Sequence, residues 1–309
     1  MIGSIIGPII GLTTPGGGGG TPPPIIETRF VSTWDTTQAG SASGTIILPM
    51  SAGPLVDWGD LTVNNLNTHT YTGTPTSVEI KIDGAVTGWR FNGGGDVAKI
   101  LTVSNAGQLV MDDQLMFKGC TSMTSWTAGI GTTTTTTTLK EMFRDCTSLA
   151  SLDFGSFDTS TVLDFNAMFR GVATTSINVS TFDTSSATLM LGMFRNCPNL
   201  ATITLGGLFD TSLVTDFSTM LFSNPNLTLV TGVEDLVVTS ATNMSNFLTS
   251  ATLSTVQYSD MLINYEAQAV QNNVQFHGGN SQYSAGAAAT ARAALIADHI
   301  WSITDGGQV

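Results

Sequence analysis

The chain has 309 residues, of which 41% are hydrophobic and only 11% are charged, so it can bury a sizeable core. Its formal net charge is −13, and its 10 Lys and Arg residues do not cluster along the sequence. An acidic protein without a basic patch lacks the charge that binds phosphate backbones, so we expect no nucleic-acid partner and no other polyanionic partner.

The first 24 residues predict an attachment peptide followed by a linker. The opening MIGSIIGPIIGL is apolar, yet it lacks the basic leader of a secretory signal and is too short to span a bilayer. Five glycines at 16–20 and the sequence TPPP at 21–24 are typical of a flexible segment that becomes stiff and extended. The residues that we expect to be held by another protein are Met1, Ile2, Ile5, Ile6, Ile9, Ile10 and Leu12.

Residues 25–103 predict short alternating strands, such as GTIILPM at 44–50 and SVEIKIDG at 77–84. The sequence LVDWGD from Leu55, followed by HTYTG from His69, resembles the PKD-type Ig-like module, in which W-D-F-G-D-G precedes H-x-Y. Leu61 stands where that family usually has Gly. The resemblance implies a β-sandwich over 25–103. Within it we expect four polar residues to tie turns and a strand edge rather than to bind metal or catalyse: Asp57, Asp60, His69 and Tyr71.

Residues 104–253 contain an internal repeat. A phrase such as MFRDCTSL begins at Met116, Met142, Met168 and Met193, with a degraded copy at Met220. A second phrase, Phe-Asp-Thr-Ser, recurs at 157–160, 182–185 and 209–212. A fixed period with an apolar residue in each slot predicts a solenoid whose coils stack over one continuous core.

Within one coil, Leu149, Leu152 and Phe154 follow the L-x-x-L-x-L spacing of a leucine-rich repeat, which predicts a short strand with alternate side chains inward. The outward positions carry small polar side chains that suit an extended ligand rich in hydroxyl groups. The candidate ligand-binding residues are Ser151, Asp153, Ser176, Asn178, Thr202 and Thr204.

Other repeat positions have structural interpretations. We expect Cys120, Cys146 and Cys197 to fill one buried column, with a disulfide between the first two left open. The once-per-repeat acids Asp158, Asp183 and Asp210 are expected to close their own turns, with a cation site as the alternative.

The sequence from Met142 to Phe169, MFRDCTSLASLDFGSFDTSTVLDFNAMF, resembles the BspA-like leucine-rich-repeat surface proteins. Such proteins occur on bacterial and protist surfaces and, as shorter versions, among phage structural proteins. The resemblance implies adhesion or recognition without a particular ligand.

Residues 254–309 predict a C-terminal helical cap, with helical spacing at 258–270 and 285–301 and a last short strand at 301–307. The expected fold class is therefore mainly β with some α: an N-terminal Ig-like sandwich, a leucine-rich-repeat solenoid and a helical cap.

No constellation of catalytic residues is recognisable, because the three histidines lie in separate segments without a carboxylate or Cys at a known spacing. We expect no catalytic residue, no cofactor and no metal. The function hypothesis is a phage virion surface protein (head fibre, decoration protein or short tail fibre). Residues 1–24 would bind other virion proteins, the solenoid would meet a host-surface glycan or protein, and a homo-oligomer is compatible with this role. The alternative is a bacterial cell-surface adhesin of the BspA-like family, and a third hypothesis is a structural cement without a host ligand.

Overall fold

A computed structural model describes residues 27–309 except 52, 113, 130, 131 and 156. The attachment peptide, including Met1, Ile2, Ile5, Ile6, Ile9, Ile10 and Leu12, lies outside the described residues, as does the linker to residue 24.

The described residues form sixteen strands and two helices, so the prediction of a mainly β protein with some α is confirmed. The strands up to the second repeat are β1 Phe30–Trp34, β2 Thr45–Ile47, β3 Leu55–Asp57, β4 Val63–Asn64, β5 Thr68–Thr70, β6 Val78–Asp83, β7 Ile100–Asn105, β8 Val110–Met111, β9 Ser125–Thr127, β10 Thr133–Thr134 and β11 Ser151–Asp153. The remaining elements are β12 Ser176–Val179, β13 Thr202–Leu205, β14 Leu229–Thr231, α1 Thr255–Glu266, β15 Gln275–His277, α2 Ala287–Ala297 and β16 Ser302–Thr304.

The largest sheet has seven strands in the order β11-β9-β7-β1-β6-β3-β4. Its N-terminal half is antiparallel, with β1 between β6 and β7. β7 also pairs in parallel with β9, the first strand of the repeat region. The predicted domain boundary at residue 103 therefore falls inside β7, a strand that belongs to a sheet shared by both segments.

Successive repeats are joined by backbone hydrogen bonds at their Met-Phe turns. Phe117 N donates to Met142 O, and Phe143 N donates to Met168 O, both at 2.9 Å. The phenyl rings of these turns stack in a column, with centroids 5.7, 6.0 and 5.6 Å apart from Phe117 to Phe194. All of these rings are fully buried, so the repeated phenylalanines form a continuous column through the core.

The Thr of each Phe-Asp-Thr-Ser phrase bonds the next repeat. Thr159 Oγ1 donates to Asp183 O at 2.8 Å and Thr184 Oγ1 donates to Asp210 O at 2.7 Å. Both threonines are buried, so each hydroxyl finds its acceptor within the next repeat.

The parallel strands of the repeats divide into two sheets. β9 and β11 end the seven-stranded sheet, whereas β12, β13 and β14 form a separate one. The third repeat is one residue shorter than its predecessor, and the buried Thr174 hydroxyl donates to Ala150 O at 3.0 Å across this junction. A side-chain bond thus bridges the two sheets where the backbone ladder is interrupted.

Helix α1 covers the end of the second sheet. The side-chain amide of Gln257 both donates to Val230 O at 2.7 Å and accepts from Val230 N at 3.3 Å. Gln268, just after the end of α1, donates its side-chain amide to Leu236 O at 3.0 Å and accepts from Val238 N at 2.7 Å. The amide of Gln257 thus completes the edge of β14, and the amide of Gln268 satisfies the loop that follows this strand.

The helices coincide in part with the segments predicted from their spacing. α1 begins before residue 258 because the Ser254 hydroxyl accepts Gln257 N at 3.2 Å and caps it. α2 ends at Ala297, ahead of the predicted 301, because Ile300 takes a left-handed φ of 59° and turns the buried Trp301 inward.

Candidate ligand-binding face

The candidate ligand-binding residues lie on one outward face of the parallel strands. Their inward neighbours, such as Ile177 and Ile203, are buried, whereas the candidates are exposed or half-buried. Across paired strands the outward residues align as Ser151 with Ser125, Asp153 with Thr127, Ser176 with Thr202, and Asn178 with Thr204. The strand face therefore consists of two polar columns, which we call the polar strand face. The β14 end of one column carries the exposed Leu229, aligned with Thr202.

Asp153 and Asn178 come together at the junction between the two sheets. They line a cavity of about 160 Å³ with Gly155, Ser180 and Thr181 at its wall. The Oδ1 atoms of both residues already accept backbone N–H groups two residues ahead, at 3.0 and 2.9 Å. Each side chain thus shapes its own turn at the wall of this cavity.

A larger cavity of about 590 Å³ lies at the ends of β13 and β14. Asp210, Glu234 and Asp235 contribute carboxylates to its wall. Asp210 Oδ1 accepts Ser212 N at 2.8 Å. Within the described residues no group of three His, Cys, Asp or Glu side chains is arranged to hold a metal ion.

The acids of the Phe-Asp-Thr-Ser phrases close their own turns. Asp158, Asp183 and Asp210 each accept the backbone N–H two residues ahead, at 2.9, 3.0 and 2.8 Å. Hydrogen bonds from Ser160 lower the pKa of Asp158. This geometry matches the turn interpretation of the column.

The polar residues of the PKD-like motif tie the turn between β3 and β4 to the β5 edge. Asp57 and Asp60 each accept a backbone N–H two residues ahead, at 3.0 and 3.1 Å. His69 Nε2 lies 2.7 Å from Asp60 Oδ2, and the Tyr71 hydroxyl donates to Trp58 O at 2.9 Å. Burial alone would raise the pKa of Asp60, but hydrogen bonds from His69 and the turn outweigh it and lower that pKa.

The three cysteines are free, buried thiols. Cys146 Sγ donates to Phe117 O and Cys197 Sγ donates to Phe169 O, both at 3.1 Å. Asn224, in the same slot of the last repeat, donates its amide to the matching carbonyl of Phe194 at 2.8 Å. Burial raises the pKa of Cys197 to about 12, so this thiol is a hydrogen-bond donor rather than a nucleophile.

Four basic residues that are far apart in the sequence lie close together in the structure. Because the third position of the Met-Phe phrase is basic in four repeats, stacking brings four of the ten Lys and Arg residues into one column. This basic column consists of Lys118, Arg144, Arg170 and Arg195. Aligning the repeats places these four residues in one slot. In the sequence itself, however, they are 25 or 26 positions apart, so they do not look like a cluster.

The comparisons with known proteins agree with the repeat. Residues 111–222 and 137–261 match the family model described as "Mycoplasma protein of unknown function, DUF285". The matched region covers just under half of the chain, and it supports a surface protein of the BspA-like type. No curated protein and no solved structure matches the chain. Among the described residues, neither helix has the length and apolar character needed to cross a membrane.

Proposed function

We propose that this chain is a non-enzymatic surface-attachment protein that binds its partner through the polar strand face. The observation that carries the proposal is the double column of small polar side chains within the region that matches the family model. Hydroxyl, amide and carboxylate groups at the strand spacing of about 4.8 Å offer donors and acceptors in a row, which suits an extended glycan or protein segment.

The architecture proposed for this role is a leucine-rich-repeat solenoid over residues 104–253, preceded by a PKD-type Ig-like module at 25–103 and closed by a helical cap at 254–309. The stacked Phe rings and the inter-repeat hydrogen bonds support the solenoid. The ties among Asp60, His69 and Tyr71 support the PKD-type module.

The direct test changes Asp153, Asn178 and Thr204 together to Lys. These side chains point outward, so the core is untouched, and the added charges and bulk should reduce binding to host cells roughly tenfold or more. The matched control changes the exposed Thr72, Thr74 and Thr76, in the loop between β5 and β6, to Lys and should bind as before. Undiminished binding by a folded strand variant would move the site away from this face.

The proposed location is the surface of a phage virion, with residues 1–24 attached to capsid or tail. A bacterial cell surface is equally compatible with the family match. Mass spectrometry of purified virions and of washed cell envelopes separates the two, because the protein should be found in only one of these fractions. Deleting residues 1–20 should then abolish incorporation into that particle or envelope while leaving the rest of the chain folded.

A further inference from the structure

We propose that Arg170 and Arg195 form a binding site for the acidic groups, carboxylate or sulfate, of a surface polysaccharide. The inference rests on the proposed attachment function. It adds to the polar strand face a second binding site, whose ligand is an acidic group.

The basic column is divided into a paired half and an unpaired half. Glu141 lies 2.8 Å from Lys118 Nζ and 2.8 Å from Arg144 Nη1, and Asp145 lies 3.2 Å from Arg144 Nε. Within the described residues, Arg170 and Arg195 form no ion pair. The column therefore carries four positive charges against two carboxylates.

The repeat itself explains the missing partners. Glu141 precedes the Met of its repeat, and the equivalent positions of the next repeats hold Ala167, Gly192 and Thr219. Gly171 and Asn196 likewise replace Asp145. The sequence keeps the basic residue through two further repeats and omits both of its counter-ions.

Arg195 also has an unsatisfied donor. Its Nε atom is buried without a hydrogen-bond partner, and so is Thr219 Oγ1. A Cβ built on Gly192 would lie 3.3 Å from Thr219 Oγ1 and 3.5 Å from Arg195 Cβ, so both groups pack closely against Gly192. The Arg195 guanidinium lies 4.9 Å above the Phe222 ring, which holds the side chain in place without neutralising it.

The guanidinium groups fix the class of ligand. A guanidinium donates two parallel N–H bonds to a carboxylate or sulfate. Burial, Arg144 and Arg195 lower the pKa of Arg170, and the weaker attraction of Asp145 and Glu141 does not outweigh them, but a guanidinium stays charged throughout the physiological pH range. Residues on adjacent repeats are about 5 Å apart, so two such groups can hold one acidic group between them. The net charge of −13 opposes a densely charged chain such as a nucleic acid. It opposes a polysaccharide less, because the acidic groups there are spaced further apart along the chain.

The first test measures binding of the full chain to immobilised hyaluronate, which carries carboxylates, and to chondroitin sulfate, with neutral dextran as the reference. We expect binding to at least one acidic polymer and none to dextran. Changing Arg170→Gln and Arg195→Gln together should weaken that binding roughly tenfold or more. The control Lys81→Gln removes a positive charge that is paired with Glu79 within β6, and it should change binding less than about twofold.

A second pair of variants moves the counter-ion without removing an arginine. Ala167→Glu restores the carboxylate beside Arg170 and should weaken binding about as much as the loss of the arginines. Glu141→Ala frees Lys118 and leaves Arg144 paired with Asp145 alone, so it should strengthen binding. Ala167 has a φ of 52° and Glu141 one of 57°, so the backbone at 167 already has the conformation that a Glu adopts in this repeat.

Equal binding by all variants, binding to dextran, or tighter binding to single-stranded RNA than to either polysaccharide would overturn the inference. None of these outcomes would contradict host-cell binding through the polar strand face. That binding is tested separately by the Lys variants of the face. Conversely, a polar-face variant that loses cell binding while it still binds hyaluronate would leave the arginine site standing.

Discussion

Leu61 has a backbone conformation that its side chain does not favour. It follows Asp60 in the turn before β4 with a φ of 73°, and its side chain is fully exposed. The left-handed region costs a residue with a Cβ about 1–2 kcal/mol, and an exposed leucine recovers nothing by packing.

Leu61→Gly should therefore stabilise the protein by about 0.5–1 kcal/mol, after the greater freedom of Gly in the unfolded chain is subtracted. The measurement is the midpoint of urea unfolding at unchanged slope. Leu61→Ala keeps the Cβ and should gain little. A Gly variant that is less stable than the Ala variant would show that the turn does not carry this strain.

At the scale of one repeat, the most sensitive element is the column of phenyl rings. The Phe169 ring is fully buried and stacks between Phe143 and Phe194 at 6.0 and 5.6 Å, with planes within 6° and 11° of parallel. Neighbouring backbones are joined to each other by hydrogen bonds, so they cannot collapse into the space that a smaller side chain leaves.

Phe169→Ala should cost about 3–5 kcal/mol of unfolding free energy, because it loses burial and leaves a cavity. Phe169→Leu fills most of that cavity and should cost clearly less. Chemical denaturation of the two variants provides the comparison, and an Ala variant no less stable than the Leu variant would mean that the column is not close-packed.

The sequence predicts the repeat period well, because each inward-facing position carries an apolar residue in several copies of the repeat. The buried Met-Phe pairs, the outward alternation of Ser151 and Asp153, and the turn bonds of Asp158 and Asp183 all follow from it. The basic column follows from the same alignment once Arg170 is compared with Arg144 rather than with its neighbours in sequence. The amide of Gln257, which completes β14, could not be predicted, because a single glutamine on a helix face has no periodic signature.

Across the whole molecule, the junction between the N-terminal segment and the repeats is set by tertiary pairing. Residues 25–103 and 104–253 remain two predicted units, yet β7 pairs with β1 on one side and β9 on the other. Stacking also starts before the first Met-Phe phrase, since Phe91 N donates to Met116 O at 3.1 Å and the Trp89 ring lies 6.0 Å from that of Phe117. Strand-like composition on both sides of residue 103 does not reveal which strands pair across it.

This shared sheet predicts one cooperative transition for β1, β7 and β9. If the first repeat unfolded alone, β7 would lose its pairing with β9, and the buried Trp89 would lose its contact with Phe117. The antiparallel half of the sheet should therefore be less stable without the first repeat. Hydrogen exchange measured through increasing urea should show the amides of β1 and β9 losing protection at the same midpoint, and Phe169→Ala should lower both midpoints together. If β1 kept its protection after β9 had exchanged, the two segments would be separate folding units joined by a sheet that contributes little to their coupling.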